Sequence, residues 1–181
     1  MRIIAGNWRG RKLVAPKGDA TRPTADRTRE TLFSMLTSRL GTFEGLQVAD
    51  LFAGSGALGF EALSRGASQC LFVEQDRAAL DAIRANIAAL DARSQTRVEA
   101  GSVTQLRARS EPLDLILLDP PYNTGAGAVS LDRLLRLGWI GDATWISLET
   151  AGKEDVAIKG LLIEAERRIG KGKLTLLRRE A

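Results

Sequence analysis

Apolar positions follow two alternating patterns along this chain: short apolar segments, and runs at helical spacing. Short segments with apolar positions predict strands at 46–52, 70–74, 96–100, 113–118, 144–149, 161–167 and 173–178, of which 113–118 is nearly continuous. Helical spacing predicts helices at 57–65, 77–90 and 131–137. Strands that alternate with helices favour a doubly wound α/β sheet, mostly parallel, and the two final strands predict an antiparallel hairpin at one edge.

The first forty residues carry a different pattern. Apolar pairs at 3–4 and 13–14 predict a β-hairpin, and Thr24 can cap a helix that follows it. We therefore expect residues 1–181 to form a single domain, in which residues 1–40 are a hairpin and helix appendage with a basic exposed side.

Charge is concentrated at the two ends of the chain. Residues 1–30 hold eight basic side chains against three acidic ones, and residues 159–181 hold seven against three. These ends carry net charges of +5 and +4, which leaves −5 for the middle of a chain whose total is +4. Positive ends on an acidic body suit a catalytic core flanked by surfaces that meet phosphates, and a solvated basic surface is the alternative.

Several kinds of protein are excluded by what the sequence lacks. No apolar run approaches the roughly 20 residues that span a bilayer, and the N-terminus has no signal-peptide pattern, so we expect a cytoplasmic protein without a membrane partner. With no histidine and one cysteine, Cys70, a zinc site of Cys and His ligands is excluded and we expect no metal. Proton handling must then fall to carboxylates, Tyr122, backbone or water.

A glycine loop follows the first predicted strand and opens the next helix. In the sequence DLFAGSGALG, which begins at Asp50, Gly54 and Gly56 can let the backbone approach a ligand, and Gly59 permits close packing of helix on strand. Glu74 ends the following strand, where a carboxylate can accept both hydroxyls of a ribose. This context indicates a nucleotide-cofactor loop.

Two cofactors fit these glycines, because together with Glu74 they also match the dinucleotide fingerprint of nicotinamide enzymes. Asp50 favours a ligand with a cationic amino-acid portion, since it would repel a pyrophosphate at the helix N-terminus. D-x-F-x-G-S-G resembles the loop of class I S-adenosylmethionine-dependent methyltransferases. The resemblance implies S-adenosylmethionine as donor, S-adenosylhomocysteine as product, and Phe52 and Ala53 beside the glycines in the cofactor site.

A second motif, Asp119-Pro120-Pro121-Tyr122, stands directly after the most apolar strand, at the sheet edge where open α/β proteins bind ligands. A plain Pro-Pro turn is the alternative. Positive charge grows on an exocyclic base nitrogen as it attacks a sulfonium methyl, and the Asp119 carboxylate and Pro120 carbonyl can accept its two N–H groups. Tyr122 can stack on a base swung out of its helix or loop. The motif resembles the D-P-P-Y box of amino-group methyltransferases that act on nucleic acids.

The N-terminal arginine string resembles one family in particular. RIIAG at 2–6, RGRKL at 9–13, TRPTADRTRE at 21–30 and the closing RIGKG at 168–172 are similar to the RsmD-type methyltransferases, which modify a guanine N2 of bacterial 16S rRNA. The resemblance implies a seven-stranded Rossmann-like methyltransferase sheet and a target of the guanine 966 type. It also implies RNA presented by an assembling or assembled 30S subunit, and we expect a monomer.

The basic side chains of this string can contact phosphates, which position RNA without reading its sequence; for any one of them, a solvated surface is the alternative. They are Arg9, Arg11, Lys12, Arg22, Arg27 and Arg29. One position departs from the family pattern. After the strand at 96–100, where an acidic or amide side chain often holds the adenine amino group, the chain offers Ser102, which we place in the cofactor site as a weak acceptor.

Two other functions remain open. A DNA adenine-N6 methyltransferase could use the same tetrapeptide, but such enzymes usually need a target-recognition domain, for which this chain has no room beyond residues 1–40. An RNA-binding assembly factor that has lost catalysis is the second, and the intact carboxylates Asp50, Glu74 and Asp119 argue against it.

Overall fold

A computed structural model describes residues 1–17 and 23–181, without the side chains of Pro23 and Thr24. The strands of its sheet are β1 (Gln47–Leu51), β2 (Gln69–Glu74), β3 (Thr96–Ala100), β4 (Leu113–Leu118), β5 (Ile140–Ala151), β6 (Leu161–Ile169) and β7 (Gly172–Arg179). The α-helices of the described residues are α1 (Pro23–Leu40), α2 (Ala57–Ser64), α3 (Arg77–Ala89) and α4 (Ala126–Arg136).

The sheet has the order β3-β2-β1-β4-β5-β7-β6. The first five strands in that order are parallel, and β7 pairs antiparallel with both β5 and β6. This arrangement confirms the predicted doubly wound, mostly parallel sheet with an antiparallel hairpin at one edge. The chain leaves β1 in one direction and returns to β4 on the other side of it, so the carboxyl ends of β1 and β4 form the crevice where such sheets bind ligands.

β4 is deeply buried because helices cover both faces of the sheet. Leu115 and Leu117 share a core with Phe60 of α2, whereas Ile116 and Leu118 share a second core with Leu131 of α4. The four β4 side chains are each at most 1% exposed, and full burial of one such side chain contributes about 1.5–3 kcal/mol. β4 is therefore a rigid support for the residues that follow it.

The N-terminal segment, residues 1–17, turns back on itself as a short hairpin, in which the Ile3 amide donates to the Arg11 carbonyl at 3.0 Å and the Leu13 amide to the Met1 carbonyl at 2.9 Å. Its one antiparallel bridge joins Arg2 and Lys12. The amides of Ile4 and Ala5 donate instead to the buried carboxylate of Glu61 on α2, at 2.9 and 3.1 Å. The predicted hairpin is thus confirmed in a shorter form, because the Glu61 side chain takes the amides of Ile4 and Ala5 that a longer ladder would need. The predicted cap, Thr24, lies outside the described side chains.

Two other elements begin earlier than predicted. α4 starts at Ala126 rather than at 131, since its first turn holds small residues that give no apolar pattern and Gly127 packs against Leu148. β5 starts at Ile140 rather than at 144, because its first residues pair with Leu113 across a register shift. None of the helices in the described part of the chain combines the length and apolar character that a membrane crossing needs.

Candidate active site

A cavity of about 720 Å³ opens at the carboxyl ends of β1, β4 and β5. Asp50, the loop from Phe52 to Ser55, Asp119 and Tyr122 line it. Its other walls come from the N-terminal segment, from α1, and from the β6–β7 turn at 169–172. The structure therefore brings the glycine loop and the D-P-P-Y box, which are far apart in the sequence, to a single space.

Asp50 presents an unsatisfied oxygen at this cavity. The residue is 1% exposed, and its Oδ2 accepts the Gly59 N–H at 2.9 Å, while Oδ1 is buried without a hydrogen-bond partner. Burial raises the pKa of Asp50 well above its usual range, and the charges of Asp119 and Glu74 raise it further. Buried acceptors are nearly always paired in native proteins, so Oδ1 indicates a ligand with a donor or a positive charge.

The three glycines of the loop have different roles. Gly54 has φ +58° and open space where a side chain would lie, so it leaves room for a ligand. A Cβ on Gly56 would lie 2.6 Å from the Phe60 ring, and one on Gly59 would lie 2.7 Å from the Cys70 sulfur. A side chain at Gly56 would thus meet the core, and a contact of its backbone with a ligand stays a prediction; Gly59 packs as predicted.

Phe52 and Ala53 shape the entrance to the glycine loop. Phe52 has φ 60°, a left-handed conformation that is strained for a bulky residue and that persists where the surroundings enforce it. The amide of Ala53 donates to the carbonyl of Val73 at 3.1 Å, which ties the loop to β2. Both residues line the cavity, so the backbone leaves β1 in a fixed direction towards it.

Glu74 is held at the end of β2 by backbone amides. Its Oε2 accepts the Gly54 N–H at 2.7 Å, and its Oε1 accepts those of Gln75 and Asp76 at 2.9 and 3.0 Å. A carboxylate has about four lone-pair positions, so three amides fix its orientation and leave one position for a ligand hydroxyl. This arrangement fits the expected ribose contact.

Ser102 does not line the cavity. Its hydroxyl accepts the Thr104 amide at 3.2 Å, and its own amide donates to Gln105 Oε1, also at 3.2 Å. These bonds form a capping box at the start of a short 3₁₀ turn, Val103–Gln105. The hydroxyl is thus engaged locally, and its place in a cofactor site stays a prediction.

The D-P-P-Y box forms a braced turn after β4. The hydroxyl of Thr124 donates to the Pro121 carbonyl at 2.8 Å, and the amide of Asn123 donates to the Glu154 carboxylate at 3.1 Å. Pro120 is buried, whereas Tyr122 is 40% exposed and lines the cavity with Asp119. The turn therefore holds the Asp119 carboxylate and the Tyr122 ring at the same opening.

Glu149, two residues before the end of β5 at Ala151, is a site residue that the sequence analysis missed. Its Oε1 accepts the Tyr122 hydroxyl at 2.6 Å, and its carboxylate faces Asp119. Asp119 is open to the cavity, but protein surrounds most of its carboxyl group. This desolvation raises the pKa of Asp119 to about 7, together with the charge and the hydrogen bond of Glu149. The signal was available, because Glu149 ends the strand predicted at 144–149, as Asp119 follows the strand predicted at 113–118.

The N-terminal segment is docked firmly on α2 and α3. Ser64 donates to the Ala5 carbonyl at 2.6 Å, and a Cβ on Gly6, which has φ +87°, would overlap the Ser64 carbonyl. On α3, the buried Asn86 accepts the Val14 amide at 2.7 Å and donates to the carbonyls of Val14 and Ser55. Asn86 thereby joins this segment to the glycine loop.

The structure separates the predicted phosphate contacts. Arg9, Lys12 and Arg27 are exposed and form no ion pair with any described residue. Arg11 is exposed too, although it donates to the Ala89 carbonyl at 2.6 Å. Arg22 lies outside the described residues.

Arg29 is a correction to that set. It is 4% exposed, donates to the Arg2 carbonyl, and lies 3.4 Å from Asp26 and 4.0 Å from Glu61. Burial lowers the pKa of its guanidinium. The predicted surface contact was wrong for Arg29, because its charge is used inside the protein to hold the N-terminal segment.

Comparisons with known proteins identify the family. Residues 1–178 match the family model described as "Conserved hypothetical protein 95". The chain is 39% identical over 150 residues to the ribosomal RNA small subunit methyltransferase D of Escherichia coli, which is 83% of this chain and 74% of that protein. The chain belongs to the ribosomal RNA small subunit methyltransferase D family. The Haemophilus influenzae member is 37% identical over 155 residues, covering 83% of this chain and 78% of its own.

Solved structures agree with the methyltransferase D family. The yhhF protein of Escherichia coli matches with a TM-score of 0.86 and 37% identity, over 100% of this chain and 98% of its own. A magnesium protoporphyrin IX methyltransferase of Synechocystis has a TM-score of 0.66 at 15% identity, over 90% of this chain and 87% of its own, which shows a common fold alone. The seven-stranded methyltransferase sheet that the resemblance implied is thus confirmed.

Proposed function

We propose that this protein transfers a methyl group from S-adenosylmethionine to the exocyclic N2 of a guanine in 16S rRNA, of the guanine 966 type. The observation that carries the proposal is the shared cavity: an unsatisfied buried carboxyl oxygen of Asp50 and the open carboxyl of Asp119 face the same space. Two such sites suit two reactants, one cationic and one with an amino group. Membership in the methyltransferase D family supports the choice of rRNA.

The glycine-loop side of the cavity fits the donor. Asp50 Oδ1 would accept from its amino group, the free position of Glu74 would accept from its ribose, and the space over Gly54 would admit it. Phe52 and Ala53 would form the wall on that side. When bound, the donor supplies an electrophilic methyl group on a sulfonium sulfur. S-adenosylhomocysteine is then the product, and the proposal requires no metal.

The D-P-P-Y side of the cavity fits the base. The Asp119 carboxylate and the Pro120 carbonyl accept the two N–H groups of the exocyclic amine, and this interaction strengthens as the nitrogen gains positive charge. Pro120 and Pro121 keep both acceptors rigid, so little reorganisation is needed during the reaction. Tyr122, exposed at the opening, stacks on the flipped base and aligns its nitrogen for direct displacement.

The exposed basic residues would hold the RNA. Arg9, Arg11, Lys12 and Arg27 lie on the N-terminal segment and α1, which also form walls of the cavity, and Arg22 belongs to the same stretch of sequence. Phosphate contacts there would orient the RNA so that one base reaches Tyr122. We expect the substrate to be an assembling or assembled 30S subunit, and the enzyme to act in the cytoplasm as a monomer.

Transfer of labelled methyl groups to small subunits that lack the modification tests the proposal. The protein is incubated with labelled S-adenosylmethionine and such subunits, and the RNA is digested to nucleosides. We expect the label in N2-methylguanosine at a single site. Label in N6-methyladenosine, or label in DNA but not in RNA, would contradict the proposed acceptor.

A further inference from the structure

Glu149 is the one carboxylate of the cavity that the mechanism above does not use. It lies in β5 beside β4, where Leu148 pairs with Leu118, so Glu149 and Asp119 are the next residues along two adjacent parallel chain segments. Parallel strands lie about 4.8 Å apart, which places the two carboxyls side by side at the opening. One oxygen of Glu149 accepts the Tyr122 hydroxyl at 2.6 Å.

Two neighbouring carboxyls in a partly desolvated site cannot both be ionised easily, so they tend to share a proton. Of the pair, Asp119 faces the proposed position of the base, whereas Glu149 is turned towards the hydroxyl of Tyr122. The hydroxyl donates to Glu149 and so occupies one oxygen of that carboxylate. The geometry thus leaves Asp119 as the member of the pair that takes up a proton.

We infer that Glu149 is a positioning residue for methyl transfer, which fixes Tyr122 through its hydroxyl and makes Asp119 the acceptor of the proton that the base amine loses. This inference rests on the proposed function. The amine nitrogen forms a bond to the methyl carbon while the carbon–sulfur bond breaks, and that electron pair stays on a neutral thioether. The nitrogen keeps a positive charge until one of its protons passes to the Asp119 carboxylate, and from there to solvent.

Other charged groups at the cavity set the background for this pair. Asp50 approaches Asp119 from β1, Arg29 lines the cavity from α1, and Lys171 lines it from the β6–β7 turn. Glu149 is nevertheless the charged group that acts on the pKa of Asp119, which it raises together with desolvation to about 7. Loss of the Glu149 charge should consequently lower the pKa of Asp119.

A carboxyl titration of the donor-free protein by carbon-13 NMR tests the pair directly. In the wild type we expect a carboxyl that titrates near pH 7 and is missing from Asp119→Asn. In Glu149→Gln, which keeps an oxygen for the Tyr122 hydroxyl, that titration should move down by roughly one pH unit or more. The matched control is Glu166→Gln, the same change at an exposed carboxylate of β6, which should leave it in place.

The pH dependence of methyl transfer separates an effect of the Glu149 charge on Asp119 from a purely structural role of Glu149. The single-turnover rate at subsaturating RNA should rise with pH as Asp119 ionises, and Glu149→Gln should move this rise to lower pH by a similar amount. Tyr122→Phe keeps both carboxyls but removes the hydrogen bond that fixes the ring, so the rate should fall. A structural role of Glu149 would lower the rate without moving the rise.

Each result decides the inference. An Asp119 titration that Glu149→Gln does not move, or a pH rise that stays in place in a folded and active Glu149→Gln, would overturn it. A wild type that methylates no RNA would contradict the proposed function instead. In that case the NMR titration, which needs no substrate, still decides whether the two carboxyls are paired.

Discussion

Asp50 and Asp119 stand at the carboxyl ends of neighbouring parallel strands, yet their surroundings differ. Asp50 is buried, with one oxygen on a helix amide and the other without a partner, whereas Asp119 is open to the cavity and faces Glu149. A buried carboxylate with a vacant acceptor suits a ligand that arrives with its charge already formed. A carboxyl whose pKa is raised to about 7, in part by a second carboxylate, suits a charge that develops during the reaction. Strand position brings both to the site, and their neighbours decide what each can do.

The largest expected effect is at Asp119. Asp119→Asn keeps the size of the side chain but removes its charge, so the single-turnover rate of methyl transfer should fall roughly 100-fold or more, the scale seen when one preorganised group is lost. The affinity for the donor, measured by calorimetry, should stay within about twofold, because Asp119 faces the base. Transfer at the wild-type rate by a folded Asn variant would mean that the carboxylate is not the acceptor.

Asp50→Asn should show the converse behaviour. Hydrogen bonds to charged groups contribute about 1.5–3 kcal/mol, so donor affinity should fall roughly 10- to 100-fold. At saturating donor the transfer rate should recover to within several-fold of the wild type. Equal losses of donor affinity in Asp50→Asn and Asp119→Asn would remove the distinction between the two aspartates.

A third comparison uses the stability of the donor-free protein. Both aspartates have a raised pKa in the folded chain, so the folded chain binds more protons than the unfolded chain. Their contribution to the free energy of unfolding is complete below about pH 4 and is lost as pH rises through the folded pKa, about 7 for Asp119. Each Asn variant should therefore flatten the fall of the thermal midpoint over this range, by roughly 2–4 °C. Parallel curves for variant and wild type would contradict these pKa shifts.

The smallest expected effect lies outside both aspartates. Arg9→Ala should weaken RNA binding roughly two- to threefold and lower the slope of log affinity against log salt by about 1, with donor affinity unchanged. Arg136→Ala, at an exposed arginine that pairs with Asp132 on α4, is the matched control and should change neither. A salt slope that is identical in Arg9→Ala and wild type would exclude Arg9 from the RNA surface.

The centre of the sheet could be predicted from the sequence because β1 and β4 are buried on both faces. The continuous apolar run of β4 and the strand at 96–100 have the predicted bounds, and the glycine loop lies between strand and helix as expected. The predicted helix at 131–137 began too late, because the first turn of α4, after Gly125, is made of small residues without an apolar stripe. Local pattern thus identifies the elements whose side chains are apolar.

The missed parts of the site depend on contacts between distant residues. The sequence predicted a surface cation at Arg29, but in the fold it lies among Glu61, Asp26 and the Arg2 carbonyl. Glu149 looked like the polar end of a strand until the β4–β5 register placed it beside Asp119. Charge in a sequence shows which residues can ionise, but only the fold shows which of them are paired.

The docking of the N-terminal segment has a consequence for how the protein is made. Ile4 bonds to Glu61, and Val14 bonds to Asn86, across 57 and 72 residues of chain. Contacts of such sequence separation close late in folding, because a long loop must be ordered before they form. During synthesis, the N-terminal segment must therefore wait until α3 has emerged before it can dock. One wall of the cavity is then completed only after the helices that support it. A nascent chain that ends before α3 should therefore bind neither reactant.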